Sequence, residues 1–353
     1  MFALNETLRR LSPVLTSIGV TRLADLTWLD EVGIPCWQAV RPTARTLSVS
    51  QGKGATAEQA AISAAMESVE VWHAEHLPDG GITGTARELG DRVGYPLSAL
   101  RLAPRSVVHE DLPLDWTPAN RLTDGAPALV PTQALRLDST VTGEWAPPAF
   151  EVTSNGLASG PSRAAAVLHG LYEVIERDAM ASGRQDWQQL DLTRVTGLAA
   201  GLLARYRRAG IAVRAYLVPS PMGVPCVEVR ATSEEFPVDF CGSAAHLDAA
   251  TALCRALTEA AQSRVAAIAG TREDLLGELF GQSWTPEEPG PPGHAVLPAP
   301  VPPGPAEDLA AELADRVAAH SGYAPLVVDH TRPELGVPVV RVVCPGLSCP
   351  DDY

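Results

Sequence analysis

Lysine is almost absent from this sequence, and positive charge as a whole is scarce. Of the 27 lysine and arginine residues, Lys53 is the only lysine. The chain carries 42 aspartate and glutamate residues, so its formal net charge is −15. Proteins that bind nucleic acid or an anionic membrane need clustered lysine and arginine to neutralise phosphate groups. The charge balance therefore predicts no nucleic acid and no membrane surface as a partner, although it does not exclude a local basic cleft.

Long apolar runs are missing as well. No stretch of about 18 uncharged apolar residues, the length that a membrane-spanning helix needs, occurs in the chain. Residues 1–10 lack the basic segment followed by an apolar run that marks a secretory signal. We therefore expect a cytoplasmic protein.

The six cysteines form no CxxC pair and follow no regular spacing. This pattern predicts neither a disulfide framework nor a zinc site. The length of 353 residues allows two domains or one large one, and a hydrophobic content of 46% is ample for a sizeable core. We expect a single domain over residues 1–353, with an exposed loop rich in proline and glycine at about 284–306.

The central stretch, residues 155–178, reads as a glycine-rich turn followed by a helix that Pro161 can open. Glu173, Glu176 and Arg177 have the spacing i, i+3 and i+4, so they share one face of this helix beside its apolar stripe. One interpretation is a solvated salt bridge along the helix surface. The other interpretation is that these side chains form an edge of the helix that binds a ligand.

Two further helices repeat this arrangement of polar side chains three residues apart. Residues 57–76 carry Ser63, Glu67 and Glu70 on one face, and residues 249–269 carry Glu259, Gln262 and Arg264. Solvated faces usually mix lysine and arginine among the acids, and the first of these helices has few such partners. Because hard divalent cations such as Mg²⁺ bind carboxylate and amide oxygens, convergence on a cation is the better account of the repetition.

The single lysine lies in the segment 51–56, immediately before the first acidic helix. Backbone N–H groups and an ammonium would meet there at a helix N-terminus, which is a favourable place for phosphate. A flexible turn with no ligand is the alternative interpretation of such a Gly-Lys-Gly sequence, and both interpretations remain open.

The remaining pattern predicts a chain in which helices and strands alternate. Besides the three acidic helices, helices are expected at 3–18, 198–208 and 306–320. Strands are expected at 43–51, 211–218, 224–231, 236–241, 325–329 and 337–344, with a turn at 242–246. The strands at 211–218 and 224–231 should form a hairpin. The predicted class is α/β (α+β).

Taken together, these motifs resemble the YcaO family, whose members use ATP to activate peptide backbone amides. The resemblance covers roughly Thr21 to the C-terminus. It rests on Gly52-Lys53-Gly54, Ser63-x-x-x-Glu67-x-x-Glu70, Asn155-Gly156-Leu157-Ala158-Ser159-Gly160, Glu173-x-x-Glu176-Arg177, Glu259-x-x-Gln262-x-Arg264 and the closing residues 339–347. Within the family, residues 21–27, 72–75 and 271–274 are most similar to the branch found beside TfuA proteins.

The resemblance implies a YcaO-type fold with mixed sheets, in which acidic helices surround ATP and Mg²⁺, usually in a homodimer. The nucleotide contacts that it implies are Lys53, Ser63, Glu67, Glu70, Glu173, Glu176, Arg177, Gln262 and Arg264. The implied metal ligands are Glu67, Glu70, Glu173 and Glu176. The resemblance assigns no residue a direct catalytic role.

Two departures from the family pattern concern the start of the central helix and the C-terminus. Pro161 and Ala165 stand where the family usually has an asparagine and a glutamate. The chain also lacks the Pro-x-Pro-x-Pro tail that is common in azoline-forming members. The resemblance therefore favours thioamide formation in a ribosomally made precursor peptide with a TfuA-like partner. The alternatives are an azoline-forming cyclodehydratase and a degenerate, non-catalytic subunit that binds a peptide or a partner.

Other chemically reactive side chains have structural interpretations. His73 follows a tryptophan on the first acidic helix, and we expect it to be packed or hydrogen-bonded. Cys344 lies in an apolar strand, where burial should raise the pKa of its thiol. Cys349 is the better candidate for a sulfur relay.

Overall fold

The computed structural model describes residues 6–78, 81–140, 148–234, 238–271 and 293–348. Their contacts group into two compact units. Unit 1 is drawn from residues 1–69 and 182–302, and unit 2 from residues 70–181 and 303–352. No helix in the described ranges combines the length and the apolar character needed to cross a membrane. The prediction of one catalytic domain stays a prediction.

The helices lie close to where the sequence predicts them, except for a short one at 86–89, where no helix was predicted. They are α1 (Glu6–Ser17), α2 (Ala57–Glu75), α3 (Ala86–Leu89), α4 (Arg163–Ala181), α5 (Gly197–Arg208), α6 (Ala249–Ala269) and α7 (Ala306–Ser321). The bounds of α6 match the predicted range 249–269. Asp248 caps its start by accepting a hydrogen bond from the Thr251 backbone N–H at 3.1 Å, and Gly270 ends it in the left-handed conformation.

The strands formed by the described residues are short and are arranged in three sheets. They are β1 (Arg22–Asp25), β2 (Cys36–Val40), β3 (Val49–Lys53), β4 (Ile82–Gly84), β5 (Leu114–Arg121), β6 (Pro127–Pro131), β7 (Leu157–Ser159), β8 (Gln188–Gln189), β9 (Ala212–Val218), β10 (Cys226–Thr232), β11 (Phe240–Ala245), β12 (Leu326–Asp329) and β13 (Val339–Val343). The predicted α+β class is confirmed. Every pair of these strands is antiparallel, and an isolated parallel bridge joins Leu190 to Ala295.

Three local predictions need correction. The strand predicted at 43–51 begins only at Val49, because the chain reverses direction between β2 and β3 over residues 41–48. The predicted turn at 242–246 is largely part of β11; residues 236–237 of the strand predicted beside it lie outside the described residues. Pro161 does not open α4, since Ser162 caps that helix by accepting a hydrogen bond from the Ala165 N–H at 3.2 Å.

Unit 1 contains two sheets. Strands β1, β2 and β3 form one of them, in that order, and the other has the order β11-β10-β9-β8. Alternate residues of β10, Val227, Val229 and Ala231, enter a core that side chains of α5 and α6 complete. The predicted hairpin of β9 and β10 is confirmed, with Val218 opposite Cys226.

Unit 2 contains one six-stranded sheet, with the order β4-β5-β12-β13-β7 and with β6 paired to β5. Helix α4 packs against β13 and β7, and α7 packs against α4. A separate core forms around the fully buried Trp116 of β5. Of the loop predicted at about 284–306, residues 284–292 lie outside the described residues, residues 298–305 are exposed, and α7 begins at Ala306.

Candidate functional site

The predicted site residues are divided between the two units. Lys53, Ser63, Glu67, Gln262 and Arg264 belong to unit 1, and Glu70, Glu173, Glu176 and Arg177 belong to unit 2. Helix α2 contributes to both units, because it carries Glu67, which belongs to unit 1, and Glu70, which belongs to unit 2. Two additional residues, Glu259 and Ser159, contact members of this set directly.

In unit 1, the end of β3 lies directly against α2. A Cβ atom at Gly52 would stand 2.0 Å from the Ala64 nitrogen and 2.2 Å from the Ala60 oxygen, so only glycine permits this approach. The close approach lets the Gln51 N–H donate a hydrogen bond to Glu67 Oε2 at 3.1 Å. Glu67 is half-buried, and its carboxylate is held in place by the backbone of the neighbouring strand.

The side chain of Lys53 reaches α6. Its Nζ lies 2.5 Å from Glu259 Oε2, and the two side chains are 29% and 25% exposed. The adjacent N-terminus of α2 is capped by its own side chains: Thr56 Oγ1 accepts from the Gln59 N–H at 3.2 Å, and Gln59 Oε1 accepts from the Ala55 N–H at 3.1 Å. A phosphate contact by Lys53 stays a prediction, and it would require the ammonium to leave or share Glu259.

Helix α6 is fixed to its sheet through Gly242, where a Cβ atom would stand 2.3 Å from the Ala260 nitrogen. One turn further along α6, Arg264 is buried. Its Nε donates to Asp30 Oδ2 at 2.9 Å and its Nη1 donates to Ser233 Oγ at 3.1 Å. These contacts give Arg264 a role in holding unit 1 together, and a nucleotide contact by Arg264 stays a prediction.

Ser63 and Gln262 are both half-buried, on α2 and α6 respectively. Each lies one turn from a side chain that another element holds, since Ser63 precedes Glu67 and Gln262 follows Glu259. Their predicted contacts with nucleotide stay predictions.

In unit 2, the glycine-rich motif leads into β7 and positions a second carboxylate. Ser159 donates from both its backbone N–H, at 2.8 Å, and its hydroxyl, at 2.5 Å, to Glu70 Oε1. Ser159 is only 8% exposed, and it is held opposite Val339 in the sheet. Two hydrogen bonds to one oxygen fix the orientation of the carboxylate without neutralising its charge.

The third acidic face lies on α4. Glu176 is buried, while Glu173 and Arg177 are half-buried on the same side of the helix. Their helix is held against the sheet by glycine: a Cβ atom at Gly170 would stand 2.8 Å from the Cγ2 atom of Val342. The face predicted from the spacing therefore forms, and its function as a binding edge stays a prediction.

The donor chemistry of these faces suits Mg²⁺, which prefers oxygen ligands. In the parts of the chain that the structure describes, no group of three His, Cys, Asp or Glu side chains is placed to hold a metal ion. Mg²⁺ at nucleotide sites usually takes one or two carboxylates, several waters and the phosphates of the nucleotide. Glu67 in unit 1 and Glu70 in unit 2 each offer a carboxylate that a strand orients by a hydrogen bond, and a carboxylate is the kind of ligand that such a site uses.

Burial changes the chemistry of several groups near these elements. Burial, followed by the positive charge of Arg341, lowers the pKa of His330 to about 3, so this histidine is neutral near pH 7. Burial raises the pKa of Cys36 to about 12 and that of Cys344 further still, so neither thiol is a nucleophile at neutral pH. Cys344 lies one residue after β13 and is half-buried, and the pKa of its thiol is raised as expected. The packing of His73 is confirmed, since this side chain is 1% exposed. Cys349 lies outside the described residues.

Sequence reasoning placed Glu259 on an acidic helix edge but not among the nucleotide contacts or metal ligands, and it gave Ser159 no role of its own. Both lie inside motifs that pointed to the family, but their partners are 89 and 206 residues away in the chain. A local signal did exist for Glu259, since it stands three residues before Gln262 with the same spacing as the other acidic edges. No spacing links Ser159 to Glu70.

Similarity to known proteins agrees with this picture. The family model described as YcaO cyclodehydratase, ATP- and Mg²⁺-binding, matches residues 51–348. An uncharacterized protein of Mycobacterium tuberculosis (strain ATCC 25618 / H37Rv) is 39% identical, with 97% of this chain and 81% of the relative covered. An uncharacterized protein in the tfuA 3′ region of Rhizobium leguminosarum bv. trifolii is 32% identical, with 97% and 87% covered.

Among solved structures, YcaO from Methanopyrus kandleri bound with AMPPCP and Mg²⁺ is 30% identical. The match has a TM-score of 0.74 and covers 98% of this chain and 92% of the other. The family model spans most of the chain and these relatives nearly all of it, and the family is one that binds ATP and Mg²⁺. The chain therefore belongs to the YcaO family.

Proposed function

We propose that this chain is an ATP-dependent enzyme that activates backbone amides of a ribosomally made precursor peptide, and that it installs a thioamide together with a TfuA-like partner. The observation that carries the ATP-dependent part is the match, over 98% of the chain, to a YcaO structure bound with AMPPCP and Mg²⁺. We also expect a homodimer, as the resemblance to the family implies.

The predicted roles follow from charge and position. The carboxylates of Glu67, Glu70, Glu173 and Glu176 would share Mg²⁺ with the phosphates of ATP. Lys53 and Arg177 would offset the negative charge of those phosphates, and Ser63, Gln262 and Arg264 would complete the contacts with the nucleotide. In this reaction class, ATP supplies the phosphoryl group that makes the amide oxygen a leaving group, and the protein contributes positioning and electrostatic stabilisation.

The thioamide part rests on a different observation. A relative with 32% identity over 97% of this chain lies in the tfuA 3′ region. Sulfide would be the nucleophile that adds to the amide carbon, so the product exchanges oxygen for sulfur. We propose the TfuA-like protein as the partner that delivers this sulfur.

Azoline formation is the second candidate, because the matching family model is described as a cyclodehydratase. In that reaction a Cys, Ser or Thr side chain of the peptide would be the nucleophile. The two reactions change the mass of the peptide in opposite directions. A thioamide adds the difference between sulfur and oxygen, and an azoline removes one water.

The first test is calorimetry of AMPPCP binding to the purified chain, with and without Mg²⁺. We expect binding that strengthens with Mg²⁺, and undetectable binding under both conditions would refute the ATP-dependent part. The second test incubates a candidate precursor peptide with the chain, ATP and Mg²⁺, with sulfide and a TfuA-like protein either present or omitted. A mass gain that needs both additions supports thioamide formation, and a water loss that needs neither supports azoline formation.

A further inference from the structure

The ion pair between Lys53 and Glu259 joins the end of β3 to the middle of α6. The Nζ to Oε2 distance is 2.5 Å, and both side chains keep more than a fifth of their surface exposed. Ion pairs at such exposure contribute little to stability, because solvent screens the charges and both side chains lose conformational freedom. Stabilisation of the fold therefore does not explain why this lysine and this glutamate are paired.

The backbone on both sides of this pair is positioned by glycine. Gly52, next to Lys53, allows β3 to lie against α2, where a Cβ atom would stand 2.0 Å from the Ala64 nitrogen. Gly242 allows β11 to lie against α6, where a Cβ atom would stand 2.8 Å from the carbonyl carbon of Glu259 itself. The two backbones that carry the pair are thus held by close contacts, and the pairing is a feature of the fold.

We infer that Glu259 is a positioning residue that holds the ammonium of Lys53 in the nucleotide-free protein and releases it to phosphate when ATP binds. This inference rests on the proposed function, in which Lys53 contacts the phosphates. Glu259 then lowers the affinity for ATP, because binding must displace it from the lysine.

The size of the effect follows from the strength of a partly exposed ion pair. A ligand that binds only the released lysine has its affinity reduced by the fraction of molecules in which the lysine is released. For a pair of this exposure, Glu259→Gln should tighten AMPPCP binding by about twofold to fivefold. The glutamine keeps the size of the side chain and removes its charge.

Because Lys53 is the only lysine of the chain, its reaction with an amine-selective reagent can be measured directly. An amine-selective reagent can label Lys53 and the α-amino group, and peptide mass spectrometry separates the two. We expect Glu259→Gln to raise the labelling rate of Lys53 in the absence of nucleotide, and Mg²⁺ with AMPPCP to protect Lys53 in both proteins. An unchanged labelling rate in the variant, with AMPPCP binding intact, would overturn the inference and leave the proposed function standing.

A double-mutant cycle separates release of Lys53 from simple repulsion between Glu259 and phosphate. Lys53→Met should weaken AMPPCP binding, and Glu259→Gln should have no further effect in that background. If Glu259→Gln tightens binding equally with and without Lys53, or if it weakens binding in the wild-type background, the inference is wrong. Absence of AMPPCP binding to the unaltered chain would instead refute the proposed function and this inference with it.

Glu307→Gln is the matched control. Glu307 is exposed on the first turn of α7, and its replacement changes the net charge by the same amount. We expect neither the labelling rate of Lys53 nor the affinity for AMPPCP to change in this control. Circular dichroism of each variant checks that the fold is retained, and a shift in the control equal to that of Glu259→Gln would overturn the inference.

Discussion

Carboxylates are held by different chemistry near α6 in unit 1 and near β7 in unit 2. In unit 1, Glu259 contacts the ammonium of Lys53, and Asp30 contacts the guanidinium of Arg264. In unit 2, Glu70 accepts two hydrogen bonds from Ser159, one from an N–H and one from a hydroxyl. A cation balances the charge of a carboxylate, whereas a neutral donor fixes its direction and leaves its charge in place.

This difference indicates two uses of acidic side chains on helices that look alike in sequence. The buried pair of Arg264 and Asp30 supports the fold, because removing either partner would leave a buried charge uncompensated. The contact of Ser159 with Glu70 instead orients a carboxylate oxygen, a kind of group that Mg²⁺ accepts as a ligand. Substitutions on each side of the comparison should therefore separate effects on stability from effects on nucleotide binding.

The largest effect is expected at α4, where Glu173→Gln should lower ATP turnover by at least about 100-fold if this carboxylate binds the metal ion. Thermal stability should be retained or raised, because removing one carboxylate relieves repulsion among the acidic groups. Steady-state ATPase rates and the thermal midpoint are the two measurements. Glu312→Gln, at an exposed pair on α7, is the control, and wild-type turnover in Glu173→Gln would contradict the metal assignment.

The next effect is on stability. Arg264→Ala should lower the free energy of unfolding by about 3 to 5 kcal/mol, because Asp30 would be left buried without its partner. Urea unfolding of the variant measures this loss. Replacing Asp30 by alanine as well should recover part of it, since the uncompensated charge is then gone. A loss below about 1 kcal/mol would mean that the pair does not support unit 1.

In unit 2, the buried neutral histidine His330 should make the stability of the fold depend on pH. The pKa of His330 falls from an ordinary value of about 6.5 to about 3 on folding, so between these values the unfolded chain binds more protons than the folded one. The contribution of His330 to stability is complete above pH 6.5 and is lost as pH falls toward 3, by at most about 1.4 kcal/mol per pH unit.

Unfolding free energies measured from pH 7 down to pH 4 test this expectation. His330→Leu should make the profile flatter, and His109→Gln, at an exposed site, should leave it unchanged. Identical profiles for His330→Leu and the unaltered chain would show that His330 does not stay neutral on folding.

A smaller effect is expected at the β7 contact. Ser159→Ala removes the hydroxyl donor to Glu70 and keeps the backbone donor, which should weaken Mg²⁺-dependent AMPPCP binding by roughly fivefold, or about 1 kcal/mol. Calorimetry at several Mg²⁺ concentrations measures the change. Ser154→Ala, at an exposed position of the same motif region, is the control. Equal affinities for the two variants would argue against an orienting role for Ser159.

The smallest effect is expected at Ala165, where the family usually has a glutamate. Ala165 lies in the first turn of α4, so Ala165→Glu places a negative charge at the helix N-terminus, worth about 0.3 to 1 kcal/mol of stability. In an active enzyme the added carboxylate should also tighten Mg²⁺-dependent AMPPCP binding. A lower thermal midpoint with no gain in affinity would instead favour the degenerate subunit.

The fold was predictable from sequence wherever a signal is local. Helix α6 is marked by its apolar periodicity, by Asp248 at its start and by Gly270 at its end, and its bounds were predicted without error. The segment at Gly242 was predicted as a turn because glycine usually marks one. Its glycine instead allows β11 to lie against α6, which is a requirement of tertiary packing that no local pattern contains.

The candidate site was predictable as a set of helix faces and not as a set of contacts. Spacing identified the acidic faces of α2 and α4, because periodicity alone determines which residues of a helix share a side. The partners of Lys53 and Glu70 come from distant parts of the chain, and nothing in a single sequence pairs them. The structure is therefore needed to identify the residues on other helices or strands that hold the site residues in position.

The interleaving of the two units has a consequence for the order in which the chain can fold. Neither unit is continuous: unit 1 needs residues 182–302, and unit 2 needs residues 303–352. The contact between Lys53 and Glu259 closes a loop of 206 residues, so the sheet of β1, β2 and β3 leaves the ribosome long before the helix that it meets. During synthesis, the end of β3 that carries Lys53 must therefore wait for α6, and until α6 is made this part of the chain needs protection from aggregation.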